Sequence, residues 1–389
     1  MIPHEKKTET TDLPPARPSG DAPRSDSPFG RLTINLGAVT ANHDLFRKTV
    51  GTACNVAAVV KADAYGLGMV PVAQALHRHG TKRFFVATPG EAFALRAALP
   101  DAAIAVLGDG LPEAGRDFIE SNIDPVLNSL HDIDLWSDLA AQTGKRLPAI
   151  IHIDTGMNRL GLSAKEADTL IHNPGRLQNL DVKIVMSHFA CADEKDHPLT
   201  PVQYERFKAF TEHFPQAQKS LANSSGLFRD KNYHFDMVRP GIASYGGNPT
   251  PETTNPMKPV VTLEARILQI RQIEAGDTIG YSATHRFDQP AVTATVGLGY
   301  ADGFHRAHSG KAHVYWRGVA CPLVGRVSMD LVTVDISHLK DNMPRPGDWF
   351  EVLGPHQDAD QLAASAGTIC YEVLTNLGKR YKRTYLSDM

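Results

Sequence analysis

The stretch AVVKADAYGLG (residues 58–68) runs from a short apolar strand into a single lysine and then into a glycine-punctuated turn. Val56 to Val60 read as a buried strand, apolar throughout rather than in alternation. Lys61 stands where that strand ends. Ala64 to Gly68 turns, and MVPVAQALHRHG continues as an amphipathic helix, with Val72, Ala75, Leu76 and His79 near helical spacing. Two readings of Lys61 fit this stretch equally. It is a side chain that reaches water from a strand end, or a desolvated nucleophile.

The same β-then-α unit recurs along the chain. Strands are expected at VAAVV (56–60), RFFVAT (83–88), AIAVLG (103–108), DPVLN (124–128), PAIIHID (148–154), VKIVMSHF (182–189), SLANSS (220–225) and FDMVRPGIASYG (235–246). Helical patterns lie between them. EAFALRAAL places Phe93, Leu95 and Leu99 near one face, and TPVQYERFKAFTEHF places Val202, Phe207, Phe210 and Phe214 on another. Eight strands in repeated β-then-α order favour an α/β fold, a (β/α)8 TIM-type barrel, over an open doubly wound sheet. The GxGxxG fingerprint of a doubly wound dinucleotide site is absent after the first strand.

From about residue 255 the pattern changes. VTLEARILQIRQI, AVTATVGLGYADG, KAHVYWRGVACPLVGRVSMDLVTVDI and DWFEVLG alternate apolar with polar residues between Gly, Pro and Asp. The expected layout is a barrel over 31–255 and a C-terminal β-rich domain over 256–389, with residues 31–36 able to pair with the second domain. The first 30 residues hold six prolines and almost no large apolar residue. They read as a disordered tail, without a signal peptide's apolar core.

Composition narrows the function. The chain has 389 residues, 42% hydrophobic and 21% charged, with a net charge of −3. No basic stripe points to nucleic acid, and no apolar run approaches the ~20 residues of a membrane span. Cys54, Cys191, Cys321 and Cys370 are widely spaced with no CxxC pair, so neither a zinc knuckle nor a disulfide framework is signalled. A reducing, cytoplasmic setting is expected. His305, His308 and His313 in HRAHSGKAH match no standard zinc spacing, and no metal is assigned.

In a barrel of this kind, polar residues at the C-terminal strand ends build the active site. Lys61 ends strand one, Arg159 follows strand five, His188 ends strand six, and Asn223 and Ser224 end strand seven. Arg239, Gly241 and Ile242 lie on strand eight. Taken singly, Arg159 could pair with a surface carboxylate and His188 could be a satisfied core histidine. Their shared position on strand ends favours a site. Ser224 offers a hydroxyl, and Gly241 and Ile242 offer backbone N–H groups, where barrels bind phosphate. A lysine amine facing such a phosphate site suggests pyridoxal 5′-phosphate held as a Schiff base.

Beyond the tail, the sequence resembles the alanine racemase family. The resemblance rests on AVVKADAYGLG, HIDTGMNRLGL, SHFACAD, LANSSG, VRPGIASYGGNP, GLGYADG and GRVSMD, in that order. It implies an isomerase that interconverts L- and D-alanine with pyridoxal phosphate, as a homodimer with shared active sites. D-alanine would serve peptidoglycan synthesis or be degraded. Lys61 would carry the cofactor, and Tyr65, Asn223, Ser224, Gly241 and Ile242 would surround its phosphate. Arg239 would face the pyridine nitrogen, His188 would lie beside the ring, and Arg159 would approach the ring's phenolic oxygen or the substrate carboxylate. Tyr300, Met329 and Asp330 would come from the second subunit. Lys61 and Tyr300 would be the two bases, one for each face of Cα. Unperturbed lysine and tyrosine both titrate near ~10, so both need tuning.

Departures from the family pattern carry expectations of their own. His152 stands where many members carry a carbamylated lysine, and it would orient Arg159 directly or through a bound anion. The stretch TNLGKRYKRTY has no direct counterpart of a tyrosine placed near the phosphate, and Lys379 and Tyr381 are the alternatives there. Competing readings are an amino-acid decarboxylase of the same fold, a racemase of broader specificity, and a non-catalytic pyridoxal phosphate carrier. A decarboxylase calls for an acidic partner on the ring nitrogen, where this chain has Arg239. A carrier needs neither a β domain nor Tyr300.

Overall fold

The structure, a computed structural model, describes residues 29–108 and 111–387. Residues 1–28 of the expected tail lie outside the described residues, whereas Phe29 and Gly30 belong to the folded chain. The first strand is β1 (Gly30–Asn35). It is followed by β2 (Asn55–Val56), β3 (Ala58–Val59), β4 (Arg83–Val86), β5 (Ala103–Val106) and β6 (Ile123–Leu127). Then come β7 (Leu147–His152), β8 (Leu180–Met186), β9 (Gln218–Ser220) and β10 (Met237–Val238).

Segments β2 to β10 form one parallel sheet in the order β2-β10-β9-β8-β7-β6-β5-β4-β3. Only Ala57 separates the two edge segments, and its N–H donates to the Val238 carbonyl at 3.0 Å. The two edges are therefore halves of one strand, which closes the sheet into an eight-stranded TIM-type barrel. Several strands carry continuous apolar runs because helices cover their outer faces while side chains fill the barrel. Ala57 to Val60, Phe84 to Val86, Ile104 to Val106 and Ala149 to Ile151 are all buried.

The C-terminal strand ends are shorter than the apolar runs imply. SLANSS leaves the ladder at Ser220, and Asn223 caps the helix Ser224–Arg229 by accepting the Gly226 N–H at 2.9 Å. Asparagine competes well for that role. FDMVRPGIASYG pairs only at Met237–Val238, because Pro240 has no N–H for the ladder. Arg239, Gly241 and Ile242 thus lie beyond the strand rather than on it.

One helix face is also corrected. Val202 is exposed, and Gln203 takes the inward position with Phe207 and Phe210 on the helix Leu199–Thr211. Gln203 is tolerated there because its amide is fully used. Its Oε1 accepts the Ala190 N–H at 2.9 Å, and its Nε2 donates to the Thr155 hydroxyl and the His188 carbonyl.

The C-terminal part forms an eight-stranded, mostly antiparallel sheet around the long strand β11 (Val261–Ile273). β11 pairs with β1, with Trp349–Leu353 and with Ala291–Gly297. β1 therefore belongs to this sheet, and the helix Leu36–Val50 returns the chain to the barrel. On that helix the Asn42 Oδ1 accepts the Lys258 N–H at 2.8 Å, and His43 Nε2 lies 3.1 Å from the Ser244 hydroxyl.

His43 gives the fold an acid-sensitive point. Burial pushes its pKa down to about 3, with Arg47 and His79 adding to the effect. The folded pKa lies below the unfolded one, so the unfolded chain binds the extra proton. The resulting stability is complete above pH 6.5 and is lost as pH falls toward the folded value. Near pH 5 the slope from this one group approaches about 1.4 kcal/mol per pH unit. Denaturant unfolding at pH 7 and pH 5 should show His43→Gln losing less stability on acidification than the wild type. An equal loss in both would exclude the role.

Candidate active site

A cavity of about 470 Å³ opens at the C-terminal ends of the barrel strands. Lys61 lines it from the end of β3. The four residues that follow, Ala62 to Tyr65, all have positive φ near 55°. A left-handed turn of non-glycine residues costs roughly 1–2 kcal/mol per residue. Burial lowers the Lys61 pKa, the Arg159 guanidinium lowers it further, and Glu91 opposes both.

Beside the lysine's strand, whose β2 half pairs with β10, the loops after β9 and β10 meet. The Ser224 Oγ accepts the Gly241 N–H at 2.9 Å and the Ala243 N–H at 3.3 Å. Its lone pairs are thereby engaged, which leaves its O–H to donate. Ile242 opens the 3₁₀ turn Ile242–Tyr245, where the first N–H groups lack intrahelical acceptors. A Cβ on Gly241 would lie 2.2 Å from the Tyr65 hydroxyl oxygen, so only glycine lets that phenol sit at the loop. Tyr65 packs on Tyr245 and Tyr371, with ring centroids 4.7 and 5.9 Å away.

Arg239 is buried beneath this loop. Its guanidinium donates to the Ser220 hydroxyl and, at 2.6 Å, to the Ser187 carbonyl. Burial lowers its pKa to about 10, which leaves it charged at neutral pH. His188 is held well below the usual histidine range by burial and by Arg239, Arg159 and Lys61 around it. His152 is lowered to about 4, chiefly by burial and then by Arg239.

The tautomer of His152 follows from its neighbour. The Asn128 Nδ2 donates to the Val126 carbonyl at 3.0 Å, so its Oδ1 faces the His152 Nδ1 at 2.8 Å as an acceptor. Nδ1 carries the proton, and Nε2 is left with a lone pair. The Arg159 side chain, also on the cavity wall, makes no hydrogen bond or ion pair among the described residues.

Lys61, Tyr65, His152, Arg159, His188, Asn223, Ser224, Arg239, Gly241 and Ile242 all line this one cavity. No carboxylate does so among the described residues. Tyr371 and Thr375, from the helix Cys370–Thr375, complete the wall. Sequence reasoning passed over both, since nothing in their spacing ties them to a strand end. Lys379 and Tyr381, the two alternatives in that region, do not line the cavity. The Tyr381 ring is buried against Gly30, and its hydroxyl has no hydrogen-bond partner among the described residues.

Tyr300, Met329 and Asp330 lie on the second domain and are absent from the cavity wall. Tyr300 and Met329 are 46% and 54% exposed. The Tyr300 N–H donates to the Ser328 carbonyl at 3.1 Å, and the Ala301 N–H to the Met329 carbonyl at 3.0 Å. Arg380 bridges Asp302 and Asp330 at 2.7 Å each. This bracket around the Tyr300 loop was not legible beforehand, because its partners are far apart in the chain.

Two family models match the chain: "Alanine racemase, N-terminal domain" over residues 34–249 and "Alanine racemase, C-terminal domain" over residues 260–385. The chain is 46% identical to the alanine racemase of Rhodospirillum rubrum, over 91% of this chain and 95% of that one. It is 48% identical to that of Acidiphilium cryptum, over 92% and 98%. Among solved structures, it is similar to the alanine racemase of Bartonella henselae with covalently bound pyridoxal phosphate. That likeness has a TM-score of 0.89 and 41% identity, over 92% of this chain and 99% of the other.

Proposed function

The chain belongs to the alanine racemase family, and from that premise we propose that it interconverts L- and D-alanine with pyridoxal phosphate, to supply D-alanine for peptidoglycan or to degrade it. The observation that carries the reading is the meeting of Lys61, a charged Arg239 and the Ser224–Gly241 loop in one cavity that no carboxylate lines among the described residues. These residues fit the cofactor. Lys61 would hold its aldehyde carbon, the Ser224 hydroxyl, the Ile242 N–H and Tyr65 would hold its phosphate, and Arg239 would face its ring nitrogen. When bound, the cofactor supplies an electron sink that acidifies the Cα proton of an attached amino acid.

The chain's own residues handle that proton. Burial and Arg159 bias Lys61 toward the free amine, which suits it to take and return a proton on one face of Cα. The other face needs a second base. Tyr300 lies outside its own chain's cavity, so a second copy would supply it. Exposed Tyr281, Tyr300, Met329 and Leu331 on the second domain, and Leu160 and Tyr371 on the cavity wall, support such a homodimer. Arg239 keeps its proton, so the ring nitrogen would stay unprotonated and the sink weak, which disfavours transamination.

Arg159 would hold the substrate carboxylate, and His152 would orient it. A neutral ring whose Nε2 keeps a lone pair can accept from a guanidinium and gives an anion no donor there. Direct contact is therefore favoured over an anion bridge. His152→Ala should raise the KM for alanine about three- to tenfold with little change in kcat. Unchanged kinetics would remove His152 from the site.

The function itself is tested with L-alanine in deuterium oxide. Appearance of D-alanine deuterated at Cα supports it. Cofactor binding without inversion of alanine would move the reading to another amino acid or to a carrier.

A further inference from the structure

The chain after Lys61 winds in the direction that L-residues avoid. Ala62, Asp63, Ala64 and Tyr65 have φ of 53°, 55°, 53° and 56°. Each is disfavoured because its Cβ crowds the following carbonyl oxygen. Internal bonds close the turn on itself: Ala64 N–H to Val60 O at 2.9 Å, Gly66 N–H to Ala62 O at 2.7 Å, and Met69 N–H to the Asp63 carboxylate at 2.7 Å. None of these ties its first residue, Ala62, to the neighbouring strand.

Glu91 does. It sits in the first turn of the helix Pro89–Ala98, where it completes a capping box with Thr88. Its Oε1 accepts the Ala62 N–H at 2.6 Å. Its Oε2 accepts the Ala87 N–H at 2.8 Å and the Thr88 N–H at 3.3 Å. One carboxylate thus fastens the residue next to Lys61 to the chain leaving β4. It must be a carboxylate, because both ends need acceptors. Glutamine would turn an NH₂ group toward at least one N–H donor.

We infer that Glu91 is a positioning residue for Lys61, which holds the left-handed turn and so sets the direction in which the lysine leaves its strand. It touches no reacting atom. The kinetic arm of the test rests on the proposed racemase reading, whereas the exchange arm does not.

The test uses the full-length protein with pyridoxal phosphate, as wild type, as Glu91→Gln, and as Glu91→Gln combined with Ala62→Gly. Amide hydrogen exchange over residues 61–68 is followed by mass spectrometry, beside kcat and KM for alanine. Glu91→Gln should speed exchange in the turn about tenfold, since bonds to a charged acceptor are lost. It should lower kcat about tenfold with KM changed less than about twofold. Adding Ala62→Gly should restore most of kcat, because glycine takes positive φ without a Cβ. Unchanged exchange in Glu91→Gln would overturn the inference. So would a loss of kcat that glycine does not restore, which would make the Glu91 charge the deciding factor. Glu91→Asp, too short to span both ends, gives the same readouts if the glutamine variant does not fold. Absence of racemisation even in the wild type would instead refute the functional reading, and the exchange data would still decide the role of Glu91.

Discussion

Replacing Tyr300 with phenylalanine is expected to lower kcat for alanine racemisation by about 10²–10⁴-fold, the range for loss of a general acid–base group. The substitution removes one hydroxyl and leaves the ring. The loop should keep its shape, because backbone bonds to Ser328 and Met329 and the Asp302–Arg380–Asp330 bracket hold it without the phenol. The defect should be one-sided. In deuterium oxide, Tyr300→Phe should still exchange the Cα proton of one enantiomer, served by Lys61, while inversion nearly stops. Loss of exchange for both enantiomers would refute the two-base assignment.

The same variant tests whether two copies share each site. A Lys61→Ala chain and a Tyr300→Phe chain are each inactive when the site is shared. Mixed one to one, they form hybrids with one intact site and one doubly defective site. With random pairing the mixture should recover about a quarter of wild-type activity. No recovery in a mixture proven to exchange subunits would place Tyr300 and Lys61 within one chain, whereas a Tyr300→Phe chain active by itself would remove Tyr300 from the reaction.

Arg239→Glu is expected to change what the enzyme makes as well as how fast. A carboxylate there would favour a protonated ring nitrogen and strengthen the electron sink. Racemisation should fall about 10²-fold, as on loss of one preorganised electrostatic contact. Pyruvate should accumulate during turnover as transamination competes. The Ser220 hydroxyl and the Ser187 carbonyl would also lose their donor. Arg239→Lys keeps a cation there and should form no pyruvate, which separates the charge effect from disrupted packing. Pyruvate from neither variant would mean that Arg239 does not govern the fate of the reaction.

Much of the fold was legible because a buried parallel strand carries a run of apolar residues on both faces. Phe84 to Val86 or Ala149 to Ile151 advertise themselves without any knowledge of their neighbours. The strand ends were less legible. Local side-chain bonds win there, as when Asn223 caps a helix, or a missing N–H stops the ladder, as at Pro240. Gln203 was misread because helical periodicity ranks residues by apolarity, while its burial depends on three partners that only the folded chain supplies.

The sequence by itself determined the order of strands and helices, the change to a β-rich C-terminal part, and the residue types that line the cavity. These are local properties, set by side-chain polarity and spacing. The tertiary structure alone decided that Tyr371 rather than Tyr381 reaches the cavity wall. It alone decided that Asn128 sets the proton on His152, and that Glu91 clasps a left-handed turn beside Lys61. Each of these joins groups far apart in the chain, or depends on backbone geometry that non-glycine residues adopt only when the surrounding fold holds them there.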